Sequence, residues 1–294
     1  MKEFLHFVQN EIYNFFHSKS FHFVTLILLI LVSVDGFFAY KMYSQELQSS
    51  LQTIEQNSDG TFKALPFLQT YTVYNSWIGG RVNQVLPMVF FYTIPIFVVI
   101  TYSWSYLSEK ATGYDRIMVI RLNRMSYFLG KYVSAFISGI ITVLIPLLFS
   151  FLLVSCLIPA YKPDVDFDLY YQIGSVSLFR DLYYSHPLLT VFIDIVMICA
   201  FSGTWATVPL ALSFFEKNKF VVLLAPYLFL MYAIASLQNA FAYHTYYETS
   251  IIDYIWLTGD VMNQSWIIYI LLMAVIFFPP LIVVLERGKH ADVY

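Results

Sequence analysis

The chain has 294 residues, of which 59% are hydrophobic and only 12% charged. A soluble domain carries about 25% charged residues, so the composition excludes a soluble globular fold and makes a bilayer the main solvent. The net charge of −3 argues for no nucleic-acid partner, and Cys156 and Cys199 both fall in apolar runs, where a disulfide framework is not expected.

In chain order, residues 3–20 come first. Phe4, Leu5, Phe7, Val8, Ile12, Phe15 and Phe16 share one helical face, with Glu3, His6, Gln9, Asn10, Glu11, Asn14 and His17 on the other side. This predicts an amphipathic helix over 3–19 lying in the membrane interface. No small-x-small cleavage motif follows, so the first apolar run is expected to remain as a span. Six runs reach the ~20 apolar residues that cross a hydrocarbon core: about 21–40, 85–107, 132–159, 187–215, 220–242 and 265–285. The expected fold is an all-α integral membrane protein, one domain over 1–294 with six transmembrane helices. Between the first two spans, Leu47, Leu51 and Ile54 predict a short helix ending near Gly60. In 243–260, Tyr243, Tyr246, Tyr247, Tyr254 and Trp256 read as an interfacial aromatic belt.

Lys and Arg in the connections orient such a bundle. With the N-terminus inside, eleven of the sixteen face inward, against Lys41, Lys63, Arg81, Lys162 and Arg180 outside. Both termini are therefore expected in the cytoplasm, in a bacterial-type cytoplasmic membrane.

The chain has no GxxxxGK[ST] loop, no HExxH and no CxxC, so neither enzymatic activity nor a bound cofactor or metal is expected of it. The acidic stretch 164–168 lacks the Gly and Glu of a calcium loop, with Leu169 and Ser175 at those positions. Asp35 and Asp194 lie inside spans, ~21 Å past the inner boundary and ~10 Å below the outer one. No Lys or Arg lies within a span to pair with either. They are candidates for an outward-facing pathway or a seam between subunits; alternatively they reach headgroup water or hydroxyls such as Ser33 and Thr190.

The inward connection 108–131 is the densest charged stretch. Arg116, Arg121 and Arg124 alternate with Ile117, Met118, Val119, Ile120, Leu122 and Met125. A short helix here would offer apolar and guanidinium contacts to a peripheral protein; a topogenic cluster touching lipid headgroups is the other reading.

This arrangement resembles the membrane subunit of a type-2 ABC exporter. Glu109, Gly113, Arg124 and Leu129-Gly130-Lys131 follow the order of that family's first cytoplasmic loop. Leu122-Asn123 stands where the family often has Pro, and Tyr114 where it often has Thr. The resemblance implies a permease carrying a hydrophobic or amphipathic substrate, such as a lipid-like molecule, an antimicrobial peptide or a drug. It implies a coupling loop over 108–131 that includes Glu109, Gly113, Arg116, Arg121, Arg124 and Lys131. It also implies a second membrane subunit and a separate cytoplasmic ATPase dimer that holds ATP and Mg. An ion-coupled secondary transporter and a non-transporting assembly or sensor protein are the competing expectations.

Overall fold

The computed structural model describes residues 2–56, 66–81, 84–113, 117–119, 122–167, 171, 173, 177–241, 247–256 and 263–290. The described residues are helical, with no strand beyond an isolated bridge between Tyr247 and Asn263. In chain order the α-helices are α1 (Lys2–Phe16), α2 (Lys19–Gln56), α3 (Val73–Ser76), α4 (Val85–Thr112), α5 (Arg124–Ser155) and α6 (Arg180–Ser185). They continue with α7 (Pro187–Ala206), α8 (Val208–Leu212), α9 (Lys219–Phe241), α10 (Ile251–Ile255) and α11 (Trp266–His290). Five stretches are long and apolar enough to cross a membrane: Lys19–Gln52, Val85–Glu109, Arg124–Ser155, Pro187–Leu212 and Trp266–Lys289. The apolar stretch of α9, Lys219–Ile234, is shorter. Helices that satisfy their own backbone are one of the few forms that can stand in hydrocarbon. These are the features of a multi-pass membrane protein.

α5 is the hub, packing on α7, α2, α1, α4 and α11. Its tightest partner is α7, because both helices present glycine at the crossing. A Cβ on Gly139 would lie 2.5 Å from the Ser202 carbonyl oxygen, and one on Gly203 would lie 3.0 Å from the Phe136 carbonyl oxygen. Without a hydrophobic driving force between helices in lipid, such close backbone approach supplies the association. At the periphery, α11 leaves Ile267 and Val275 about 70% exposed and α9 does the same with Phe229. Such faces suit contact with hydrocarbon rather than water.

Helix ends depart from the apolar runs. Leu47, Leu51 and Ile54 extend α2 rather than forming a separate helix. α4 continues to Thr112, and α5 already begins at Arg124, capped by the Asn123 side chain accepting from the Met125 N–H. The connection expected over 108–131 thus shrinks to 113–123. Hydropathy measures the apolar length of a span, whereas hydrogen-bonded caps set where a helix stops.

The end of the bundle remote from Asn123 is closed by folded connections. Thr72 Oγ1 donates to the Tyr161 carbonyl at 2.7 Å, and the Ile78 N–H donates to Ser150 Oγ at 3.0 Å. This seats Trp77 in the core and aims Arg81 inward. Arg81 pairs with Asp35 of α2 at 2.5 Å and also donates to the Asp35 carbonyl at 2.9 Å. The expectation that Asp35 has no cationic partner is therefore corrected: the partner comes from a connection, not a span. Trp256 donates its indole N–H to the Arg81 carbonyl at 3.3 Å and stacks on Phe91. Of the aromatics expected to form an interfacial belt, Tyr254 and Trp256 are instead buried in the protein, while Tyr247 is exposed. Tyr243 and Tyr246 lie outside the described residues.

Asp253 sits in the same cap. Burial, and then the neighbouring Glu248 carboxylate, push its carboxyl up to about 6. The folded cap therefore holds this proton more tightly than the unfolded chain does. Its stability is greatest below about pH 4 and declines as pH rises through about 6. Asp253→Asn is expected to flatten that decline, worth about 3 kcal/mol across the window, in melts of the detergent-solubilised protein between pH 4 and 8. Arg81→Met is expected to strand the Asp35 carboxylate in a dry site and destabilise the fold by about 3–5 kcal/mol. The double variant Asp35→Leu with Arg81→Met should recover most of that loss in the same assay.

Candidate functional site

The charged connection singled out in the sequence leads to a buried cluster at its base. Gly113, with φ of 75°, ends α4 in the left-handed conformation that glycine adopts without strain. Its position turns the chain away after the last turn of α4, which carries Glu109. The chain returns to α5 at Asn123, and Lys131 follows two turns later.

Lys131 is completely buried. Its Nζ donates to Glu109 Oε2 of α4 and to Glu11 Oε2 of α1, each at 2.7 Å. Tyr102 of α4 donates its hydroxyl to the same Glu11 oxygen at 2.9 Å. The rings of Phe7, Tyr102, Tyr106 and Tyr127 surround the ammonium at 5.6–5.9 Å from their centroids, close enough for cation–π attraction. Glycine makes this approach possible. A Cβ on Gly130 would lie 2.5 Å from the Phe7 ring, so any larger residue pushes α1 off α5. A second lysine, Lys219 at the start of α9, donates to Ser108 Oγ of α4, the residue before Glu109, at 3.2 Å.

The predicted loop residues thus divide by location. Glu109 and Lys131 pair with each other inside the protein, Lys131 fully buried and Glu109 partly exposed. A lysine at the mouth of a span was expected to stay wet, but two carboxylates and an aromatic cage let it enter the core. Arg124 is exposed, as is Ile117. Arg116 and Arg121 lie outside the described residues. Val119 is buried and Leu122 half-buried, anchoring the connection to the bundle.

Sequence reasoning missed Glu11. It was assigned to the polar face of the N-terminal helix, yet the buried face of α1 runs through Phe7, Val8, Glu11 and Phe15 while Leu5 is exposed. The signal was present: Glu11 stands four residues after Phe7 and four before Phe15, on one stripe of the helix.

The intramembrane carboxylates are elsewhere. Asp35 is engaged with Arg81. Asp194, in α7, is fully buried, and neither of its carboxyl oxygens has a hydrogen-bond partner among the described residues. No cluster of three or more His, Cys, Asp or Glu side chains suited to a metal occurs among the described residues. The Lys131 cluster has no nucleophile set against a base. What it can do is mechanical: it fixes α1, the end of α4 and the start of α5 to one another beneath a surface connection.

The chain is similar to an uncharacterised protein, YybM, of Bacillus subtilis (strain 168), with 22% identity over 143 residues. That match takes in 48% of this chain and 55% of YybM, so the chain covers about half the length of the curated relative. No family model matches the chain, and no solved structure does.

Lys131→Met is expected to leave Glu11 buried without a counter-charge, at a cost of about 3–5 kcal/mol. Because Glu11 is the polar anchor of α1, amide exchange over residues 2–16 should rise by at least tenfold in the variant. Adding Glu11→Gln should restore much of the protection, which hydrogen-exchange mass spectrometry can read peptide by peptide.

Proposed function

We propose that the chain is the membrane subunit of an ATP-driven exporter of the type-2 ABC kind. In this reading it forms the pathway for a hydrophobic or amphipathic substrate, and hydrolysis takes place on a separate cytoplasmic ATPase dimer. The observation that carries it is the link from Lys131 to Glu11 and Glu109. A force applied to the connection 113–123 reaches α4 and α5 through the ends of the helices themselves. The same ion pairs deliver it to α1. A connection so anchored transmits a push, whereas a cluster serving only to orient the chain needs no buried anchor. Exposed Arg124 and Ile117 present the mixed charged and apolar surface that a protein partner can grip.

The remaining parts of the proposal follow from that reading. α9 would serve as a sixth span, both termini would face the cytoplasm, and a second identical or related subunit would complete the pathway. Asp194 supports a second reading. A buried carboxyl without a described partner is the kind of group an ion-coupled transporter uses.

Gentle solubilisation from the native membrane, followed by pull-down, should bring an ATPase with the chain. Arg121→Glu combined with Arg124→Glu should leave membrane insertion intact and reduce ATP-dependent export by at least tenfold. Export that persists in this variant, or that runs on an ion gradient without ATP and stops in Asp194→Asn, would turn the assignment to the second reading.

A further inference from the structure

Two carboxyl groups meet in the cap at the end of the bundle remote from Asn123. Glu248 is only 2% exposed. Its Oε1 accepts the Thr249 N–H at 2.9 Å and the Ser250 N–H at 2.7 Å. Ser250 Oγ in turn accepts the Asp253 N–H at 3.4 Å, which caps the start of α10. This tight turn brings the Asp253 carboxyl within hydrogen-bonding reach of the Glu248 carboxyl. Two ionised carboxylates have no proton to donate to each other, so the contact needs one proton between them. Glu248 is already committed as an acceptor to two N–H groups, so Asp253 carries the proton and donates it.

The segment fastened in this way is tied to its surroundings at several points. The Glu248 N–H donates to the Asn263 carbonyl at 2.9 Å. The Gln264 side chain donates to the Asp253 carbonyl at 2.9 Å, and the Tyr254 hydroxyl donates to the Glu248 carbonyl at 3.2 Å. α10 packs on α7 and α11. The Tyr254 ring meets the Tyr269 ring of α11 at 5.9 Å between centroids. Tyr269 in turn lies close enough to the Asp194 carboxyl to feel its charge. Residues 247–256 therefore form a strap across α7, joined to Asp194 through two tyrosines. Asp194 is completely buried, and its two carboxyl oxygens have no hydrogen-bond partner among the described residues. A buried polar group in that condition calls for a physical reason.

We infer that Glu248 and Asp253 form a proton-operated latch: with the shared proton in place the strap 247–256 is fastened over Asp194, and without it two like charges face each other, the strap loosens and water reaches Asp194. The other titratable groups around the pair do not offset the repulsion. Tyr92 of α4 faces both carboxyls, with Tyr227 of α9 beside it. Tyr254 of α10 faces Glu248, and Tyr269 and Asp194 lie behind Tyr254. These groups are phenols and a carboxyl, and none brings positive charge. Burial, and then Glu248, push the Asp253 carboxyl up to about 6. The latch is thus fastened in acid and released as pH rises through about 6. It stands independently of the transport reading, since it needs no ATPase.

The test is hydrogen-exchange mass spectrometry of the full detergent-solubilised chain, with rates corrected for the intrinsic pH dependence of exchange. Opening of peptides within 247–256 should increase about fiftyfold between pH 4 and 7, the factor given by a carboxyl raised from 3.8 to about 6. Peptides of α5 should change little. Asp253→Asn keeps a donor to Glu248, so the strap should hold its acid-level protection at every pH. Glu248→Gln keeps the acceptor for both N–H groups and gains a donor to Asp253; it should behave alike, and it stands in should the first variant fail to insert. At pH 7, glycine ethyl ester with a water-soluble carbodiimide should label Asp194 of the unsubstituted chain, scaled to exposed Glu216, about tenfold more than Asp194 of the Asp253→Asn chain. A pH dependence that survives both substitutions overturns the proposal. So does one spread evenly over all helices, or equal labelling of Asp194 in the two chains.

Discussion

The fold rests on the removal of one cation from water without leaving it unpaired. A buried lysine is tolerated only where opposite charge and hydrogen bonds replace its hydration. Glu109 supplies part of this from the last turns of α4, but Glu11 has to be brought in by a separate helix. Lys131 therefore holds α1 in place as strictly as α1 protects Lys131. The aromatic rings around the ammonium exclude water from the bonds they enclose, which strengthens each of them. Gly130 completes the dependence, because its missing side chain is the space that Phe7 occupies.

The opposite end of the bundle uses the same physics with the charges exchanged. There the anion, Asp35, belongs to a span and the cation, Arg81, arrives from a connection. The Arg81 guanidinium meets Asp35 of α2, while its backbone is held by the Trp256 indole, which stacks on Phe91 of α4, and the preceding turn is held by Ser150 of α5 through the Ile78 N–H. Each end of the molecule is thus pinned by an ion pair that ties a segment outside the spans to one inside. Neither pin is local in the chain. Glu11 and Lys131 are 120 positions apart, and Asp35 and Arg81 are 46 apart.

That distance explains which parts were legible in the sequence. Helical class, the apolar runs and the amphipathic N-terminal helix follow from composition and period, which are local. Glu109, Gly113 and Lys131 stand out in the sequence as parts of a charged connection, and the structure places Glu109 and Lys131 in one ion pair. Their real neighbours depend on how α1 docks, and docking is not local. Asp35 looked partnerless for the same reason, since the fold of residues 66–81 depends on contacts with α5. Boundaries failed for a different reason. Charged and polar turns at Lys41–Gln56 and Arg124–Lys131 remain helical because caps and tertiary contacts outlast the apolar segment.

Packing is uneven across the molecule, and the unevenness has mechanical meaning. At the crossing of α5 and α7, glycine brings backbone against backbone, and close-packed contacts of that kind shift between discrete arrangements or not at all. Asp194 lies on α7, within this rigid half. On the other side, Pro226 interrupts the hydrogen bonding of α9 and Pro279–Pro280 that of α11, and the two helices stand apart around a cavity. A proline removes a hydrogen bond that would otherwise resist bending. α4 and α5 carry internal prolines as well, Pro95 and Pro146, but of these four helices only α9 and α11 also border the cavity. Motion imposed through the Lys131 cluster would move α4 and α5 together, and α9 borders α4 while α11 borders α5. The gap between the outer helices is where such a displacement meets the least resistance.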